Sequence, residues 1–292
     1  TSRTAERVAS DLGAAEIFRV SRSGRDGAIT YEEAYRDHTD ARILINTTPA
    51  GMYPNVGGMA FDIDRFTEAE GALDVVYNPL TPAFVRKAGE QGITAVNGLY
   101  MLVGQAVLAA ELFTGEQIDM SEVDRIYNEL MSEKRNIVLT GMPCSGKTTL
   151  GKLLAEQLDR QLVETDDEII ARAGMPITDI FSRYGERHFR DLESEVIAEA
   201  SSTGGKVIST GGGAVLRKEN VEALKMNGTV VFLDRPLEDL MPSDDRPLAD
   251  SADKIRKLYE ARYPIYTEAA DVIIRVQGTE EDTAEEIWRA MK

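Results

Sequence analysis

The stretch that decides the fold is NIVLTGMPCSGKTTL, Asn136 to Leu150. Four apolar or β-branched residues, Ile137 to Thr140, read as a strand that runs into Gly141. Gly146, Lys147 and Thr148 follow at the spacing G-x-x-x-x-G-K-[ST], and a helical pattern continues from Thr148 to Leu158. Chance would produce about 0.01 such matches in a chain of this size, given ordinary residue frequencies. A strand, a glycine-rich loop and a helix in this order form a phosphate cradle. Loop N–H groups and the positive end of the helix face the anion. The ATP-binding set expected here is Gly141, Cys144, Ser145, Gly146, Lys147, Thr148 and Thr149. Lys147 is expected to reach the β- and γ-phosphates, and the Thr148 hydroxyl to bind Mg²⁺.

The motif begins nearly halfway along a chain of 292 residues, which is long enough for two domains. Before it, apolar runs of strand length, IFRV (17–20), RILIN (42–46), LDVVY (73–77) and ITAV (93–96), alternate with helical stretches at 1–12, 82–91 and 99–113. Such alternation predicts a parallel sheet covered by helices. A polar helix from about Asp119 to Lys134 connects the halves. The spacing of Asp119 and Glu122 predicts a capping box at its start. The expected organisation is therefore 1–118, a connector at 119–134, and a second α/β domain at 135–292.

Composition narrows the function. The net charge of −17 opposes a nucleic-acid or anionic-membrane surface. One cysteine and two histidines give no disulfide framework and no Cys- or His-rich metal site. The most apolar helical run contains Gln105 and Glu111 and falls short of the roughly 20 apolar residues a membrane span needs. These features predict a cytoplasmic protein whose partners are small molecules.

Downstream of the loop, Asp166 in VETDDEI stands where a carboxylate can orient an attacking hydroxyl and take its proton. Capping of the next helix by Asp166 or Asp167 is the competing reading. Arg190 lies on a helix, and VISTGGGAV places Gly211, Gly212 and Gly213 after a strand. Three glycines let backbone N–H groups approach a ligand closely. Arg246 lies in a polar segment suited to a lid, and Arg262 sits in YEARYPIY. Together these point to an anionic phosphate acceptor.

This set resembles shikimate kinase over about residues 136–278. The resemblance implies a P-loop kinase fold like that of the nucleoside monophosphate kinases, with a parallel sheet and helices on both faces. It implies phosphorylation of the shikimate 3-hydroxyl by ATP, with Mg²⁺. By this match Asp166, Lys147 and Arg246 are catalytic. Arg190, Gly212 and Arg262 hold shikimate, with Gly211 and Gly213 beside them, and the two arginines grip its carboxylate. Phe181 and Phe189 would pack around the ring or simply fill the core. Many family members have an aspartate where this chain has Glu164, which would meet Mg²⁺ through water, and a second lid arginine that is missing between Leu240 and Arg246. A gluconate kinase, or a regulatory module that uses ATP as a switch, remains an alternative.

The N-terminal half resembles the NADP-binding domain of shikimate dehydrogenase over about residues 1–118. The matching stretches are TSRTA at the start, VSRS around Arg22, NTTPAGM (46–52), VVYNPLTP (75–82) and NGLYMLVGQA (97–106). The resemblance implies an incomplete Rossmann-like sheet whose first strand, glycine-rich turn and upstream substrate domain are expected to lie before Thr1. Arg22 would then meet the NADP 2′-phosphate, a task for which a guanidinium fork is suited. Asn46 and Thr47 would lie beside the cofactor, Gly98 and Met101 near the nicotinamide, and Tyr77 and Gln105 toward shikimate. Dehydrogenase activity is expected only in a longer chain, and NADP binding is expected to be impaired by the missing pyrophosphate loop.

Overall fold

A computed structural model describes residues 1–240 and 252–291. The chain divides into two compact units, Thr1–Asn128 and Glu129–Lys292.

The first unit opens with α1 (Ser2–Asp11) and α2 (Tyr31–Asp37), followed by β1 (Ile43–Asn46) and β2 (Gly71–Asp74). It continues with α3 (Ala83–Glu90), β3 (Thr94–Val96) and α4 (Leu99–Thr114), and then α5 (Ser121–Lys134), which crosses the boundary. The sheet is parallel in the order β1-β2-β3. Its core joins Leu44 and Ala72 of the strands to Phe84 and Ala88 of α3, with Ile63 and Phe66. Parallel pairing requires crossovers, and α3 supplies the one between β2 and β3.

Three expectations are corrected here. The run 17–20 is not a strand, since only an isolated bridge joins Val20 to Ile29. Its apolar side chains, Ile17 and Phe18 among them, are exposed, so no neighbouring strand completes it. The strand expected at 73–77 ends at Asp74 and starts earlier, at Gly71. The capping box at Asp119 and Glu122 does not form. Asp119 Oδ1 accepts from the Ser121 N–H at 2.8 Å, and Glu122 is turned to Arg125 at 2.8 Å. A capping box occurs instead at Thr30 and Glu33, at the start of α2.

The second unit is a five-stranded parallel sheet. Its elements are β4 (Asn136–Thr140), α6 (Lys147–Gln157), β5 (Gln161–Glu164), α7 (Thr165–Ala173) and α8 (Ile177–Ser201). Then come β6 (Lys206–Ser209), α9 (Lys218–Asn227), β7 (Gly228–Asp234), α10 (Ala252–Ala269), β8 (Val272–Arg275) and α11 (Glu280–Met291). The strand order is β5-β6-β4-β7-β8. Every residue of β4 is buried, as a central strand covered on both faces must be. Its side chains alternate. Ile137 and Leu139 pack with Leu150 and Leu154 of α6 and Ile287 of α11, while Val138 packs with Ile197 of α8 and Leu224 of α9. Helices thus lie on both faces, as expected. Gly185, at φ +81° and ψ 169°, breaks α8 into two helical rods.

The topology locates a binding crevice. The chain leaves β4 toward β5 and leaves β6 toward β7, in opposite directions, although β4 and β6 are neighbours. Ligands bind at the carboxyl ends of strands at such a switch point.

Candidate active site

Two glycine-rich turns leave these adjacent strands. The first, after β4, is the phosphate loop. Gly141 has φ +149°, and a Cβ there would come within 2.9 Å of both the Leu233 carbonyl oxygen and Ser145 Oγ. The Ser145 side chain is buried beneath the loop, and Cys144 adopts a left-handed φ of +66°. Gly146, also left-handed, precedes the first turn of α6. Lys147 is 6% exposed, and its Nζ donates to the Gly141 and Met142 carbonyls at 3.0 and 2.8 Å. Thr148 and Thr149 are exposed at the helix start. The Thr148 hydroxyl donates to Glu164 Oε2 at 3.2 Å, and Glu164 Oε1 is buried without a partner. A hydroxyl paired with a carboxylate that keeps an unused oxygen is a donor set suited to Mg²⁺, directly or through water.

The second turn, after β6, is Gly211–Gly213. Each glycine lies against a close neighbour. A Cβ on Gly211 would meet Asp166 Oδ1 at 2.6 Å, and one on Gly212 would meet Pro143 Cδ of the phosphate loop at 3.2 Å. A Cβ on Gly213 would meet Arg190 Nη1 at 2.1 Å. The Gly211 N–H donates to Thr165 Oγ1 at 2.9 Å, tying the turn to α7. Asp166 lies within the first turn of α7, whose N-cap is Glu164 and carries no side-chain cap. The capping reading of Asp166 and Asp167 is therefore not realised.

Arg190 and Arg262 approach this turn from α8 and α10, and both are buried. Arg262 Nη1 donates to the Gly212 carbonyl at 3.0 Å, and the buried Tyr266 hydroxyl donates to the same oxygen. Burial pushes the Tyr266 phenol up to about 12, so it is a fixed donor at neutral pH. Arg190 Nη1 donates to Glu193 Oε2 at 2.7 Å, and Nη2 pairs with Glu186 at 3.3 Å. Arg190 also lies over the Phe189 ring, 5.0 Å from its centroid. The Phe181 and Phe189 rings lie 4.7 Å apart, tilted by 36°. Phe189 belongs to the core of the α7–α8 corner with Ile169, Ile180 and Val196, and Phe181 packs partly buried against it.

Sequence reasoning missed Glu193. It is 1% exposed, and burial raises its pKa against the opposing pull of Arg190, with Asp166 also raising it. Among the described residues its Oε1 has no hydrogen-bond partner. The signal was available, since Glu193 stands three residues after Arg190 on the same helix face. Tyr266, four residues after Arg262, was missed in the same way. Arg246 lies outside the described residues.

In the first unit, Asn46, Tyr77 and Gly98 follow or end the three parallel strands at their carboxyl ends. Asn46 is buried and fully engaged. Its Nδ2 donates to Asp74 Oδ1 at 2.9 Å and to the Ala50 carbonyl at 3.3 Å, and its Oδ1 accepts from the Thr48 N–H and hydroxyl. Thr47 beside it is half-buried, and Tyr77 is exposed. A Cβ on Gly98 would meet the Val75 carbonyl oxygen at 2.1 Å, so packing alone demands glycine there. Met101 and Gln105 are exposed one turn apart on α4, and Arg22 is exposed in the loop before α2.

A phosphate loop, a carboxylate, a glycine turn and two buried arginines gathered at a switch-point crevice define a P-loop phosphotransferase. The profile of the family described as shikimate kinase matches residues 143–292. The chain belongs to the shikimate kinase family. A shikimate kinase of Caldicellulosiruptor bescii is 47% identical over 139 residues, covering 45% of this chain and 81% of that protein. The structure of shikimate kinase from Acinetobacter baumannii in complex with shikimate covers 56% of this chain and 96% of that one, at 36% identity and a TM-score of 0.53. Shikimate dehydrogenase 1 from Peptoclostridium difficile covers 44% of this chain and 50% of its own, at 36% identity and a TM-score of 0.41.

Proposed function

We propose that this chain transfers the γ-phosphoryl group of ATP to the 3-hydroxyl of shikimate. The observation that carries the reading is the convergence of Arg190, Arg262 and Asp166 on the Gly211–Gly213 turn, whose middle residue abuts the phosphate loop. Arg190 and Arg262 bind the acceptor carboxylate, because guanidinium forks match carboxylate geometry. Asp166 orients the attacking hydroxyl and accepts its proton as the bond to phosphorus forms. Lys147 and the backbone N–H groups of Cys144–Thr149 hold the phosphates and offset the charge that builds on the equatorial oxygens. Arg246, which lies outside the described residues, is assigned to the phosphates by the family resemblance alone. Thr148, and Glu164 through water, would hold Mg²⁺, which would supply neutralisation of the phosphate charge. The net charge of −17 and the absence, among the described residues, of any helix long and apolar enough to cross a membrane accord with a cytoplasmic enzyme of small molecules.

The first unit is read as an NADP-binding domain of the dehydrogenase type, with Arg22 toward the 2′-phosphate and Asn46, Thr47, Tyr77, Gly98, Met101 and Gln105 around the cofactor and its substrate. The three carboxyl strand ends that gather Asn46, Tyr77 and Gly98 support this reading.

The test is turnover of ATP with Mg²⁺ and shikimate, with the phosphorylated product identified by mass spectrometry. Formation of shikimate 3-phosphate supports the reading. Turnover with gluconate but not shikimate overturns it, and so does acceptor-independent ATP hydrolysis alone. Titration of NADP by fluorescence tests the first unit separately.

A further inference from the structure

A residue without an assigned part in this chemistry faces the same cavity. Arg235 follows the last residue of β7. Asp234 before it pairs in register with Arg275 of β8, and the Val276 N–H donates to the Asp234 carbonyl at 3.0 Å. The phosphate loop leaves β4 on the other side, where a Cβ on Gly141 would touch the Leu233 carbonyl. Arg235 therefore emerges between the phosphate loop and the turn that joins β8 to α11. A cavity of about 300 Å³ lies there, walled by the loop and first turn of α6 on one side and by Val276, Gly278, Thr279, Glu280 and Thr283 on the other, with Arg235 in its lining.

Two observations mark this arginine. It is half-buried, and among the described residues it has no ion-pair or hydrogen-bond partner, although acidic residues number 50 against 33 basic. The second concerns charge along the cavity. The α11 end is filled by its own chain. The Thr279 hydroxyl donates to Asp282 Oδ2 at 2.8 Å and accepts from the Asp282 N–H at 3.1 Å, and Glu280 lies in the same turn. That wall repels phosphate, while Lys147 and the loop amides attract it. A nucleoside triphosphate in this cavity is thus oriented with phosphates at the loop and its uncharged nucleoside toward Val276 and Gly278. Gly278 offers a wall with no side chain.

We propose that Arg235 binds the nucleoside end of ATP, its guanidinium plane resting on the purine base. A half-buried guanidinium with no partner among the described residues has the flat face and the weak hydration that such stacking uses. The inference deepens the ATP site proposed above and rests on it.

The experiment is calorimetric titration of the full chain and its R235A, R235K and R235Q variants with ADP and with tripolyphosphate, a probe that has phosphates and no base. R235A is expected to weaken ADP about tenfold and to leave tripolyphosphate and the KM for shikimate unchanged. R235K is expected to recover little, since an ammonium has no plane to stack. Unchanged ADP binding in R235A, equal weakening of both probes, or full rescue by lysine would each overturn the proposal. R235Q with an unaltered melting temperature secures the comparison if R235A folds poorly. An unaltered chain that binds ADP but does not phosphorylate shikimate overturns the proposed reaction and leaves the role of Arg235 standing.

Discussion

The guanidinium of Arg190 occupies the space that a side chain at Gly213 would need, with Nη1 2.1 Å from the position of a Cβ there. The two residues are therefore a matched pair. Gly213→Ala must displace a buried cation that Glu193 and Glu186 hold on the far side. The KM for shikimate should rise at least about tenfold, and ADP affinity should change little. Steady-state kinetics alongside calorimetry with ADP checks this. Equal losses for both ligands would place Arg190 elsewhere in the mechanism.

Lys147→Ala removes the cation whose Nζ spans the Gly141 and Met142 carbonyls. By comparison with lost transition-state donors, kcat should fall by about 3 kcal/mol, or roughly a hundredfold. The KM for shikimate should stay within a factor of a few. A change confined to KM for ATP would mean that Lys147 serves ground-state binding only.

Asp74 gives a pH prediction for the first unit. It is fully buried, its Oδ2 has no partner, and burial raises its pKa to about 6 against the bonds from the Val76 N–H and Asn46. The native state thus holds this proton more tightly than the unfolded chain does. Its contribution to stability is complete below the unfolded value of 3.8 and is lost as pH rises through about 6. Asp74→Asn stays neutral and keeps an oxygen for both bonds. At pH 8 the variant should be more stable than the parent by about 1–3 kcal/mol, with the gap closing by pH 4. Hydrogen exchange of the β1 and β2 amides reports it, because the chain's one tryptophan, Trp288, lies in the other unit.

Gly98→Ala should destabilise the first unit by about 3 kcal/mol or more, since a methyl would press into the Val75 carbonyl at 2.1 Å. The same exchange measurement shows it in the absence of NADP. A stable Gly98→Ala chain that only loses NADP affinity would move the explanation from packing to cofactor contact.

The sequence was most readable where one residue type has one physical use. The phosphate loop could be read residue by residue, because glycine spacing, lysine and threonine each follow from phosphate geometry. β4 and the long apolar α4 announced themselves by length and composition. The run 17–20 misled because four apolar residues define a strand only when another strand accepts their backbone bonds, and here Val20 finds just Ile29. LDVVY was shifted because β2 takes its length from its pairing with β1, which stops at Asn46 and Asp74. Glu193 escaped because a charged residue on a helix is read as solvated, whereas here it is buried on the part of α8 that follows the break at Gly185. Gly185 inside a helical pattern was the visible sign of that break.

The last turn of α5 has a consequence for anyone who would cut the chain in two. Arg160, partly buried and set over the Trp288 ring, donates to the Ser132 carbonyl at 2.5 Å and the Arg135 carbonyl at 2.8 Å, while the Gly205 N–H donates to the Lys134 carbonyl at 2.9 Å. An excision beginning at residue 135, where the motif suggests a clean start, would strip acceptors from a guanidinium and an amide that have them in the intact protein. A fragment that begins ahead of Ser121 carries the whole helix and spares these bonds.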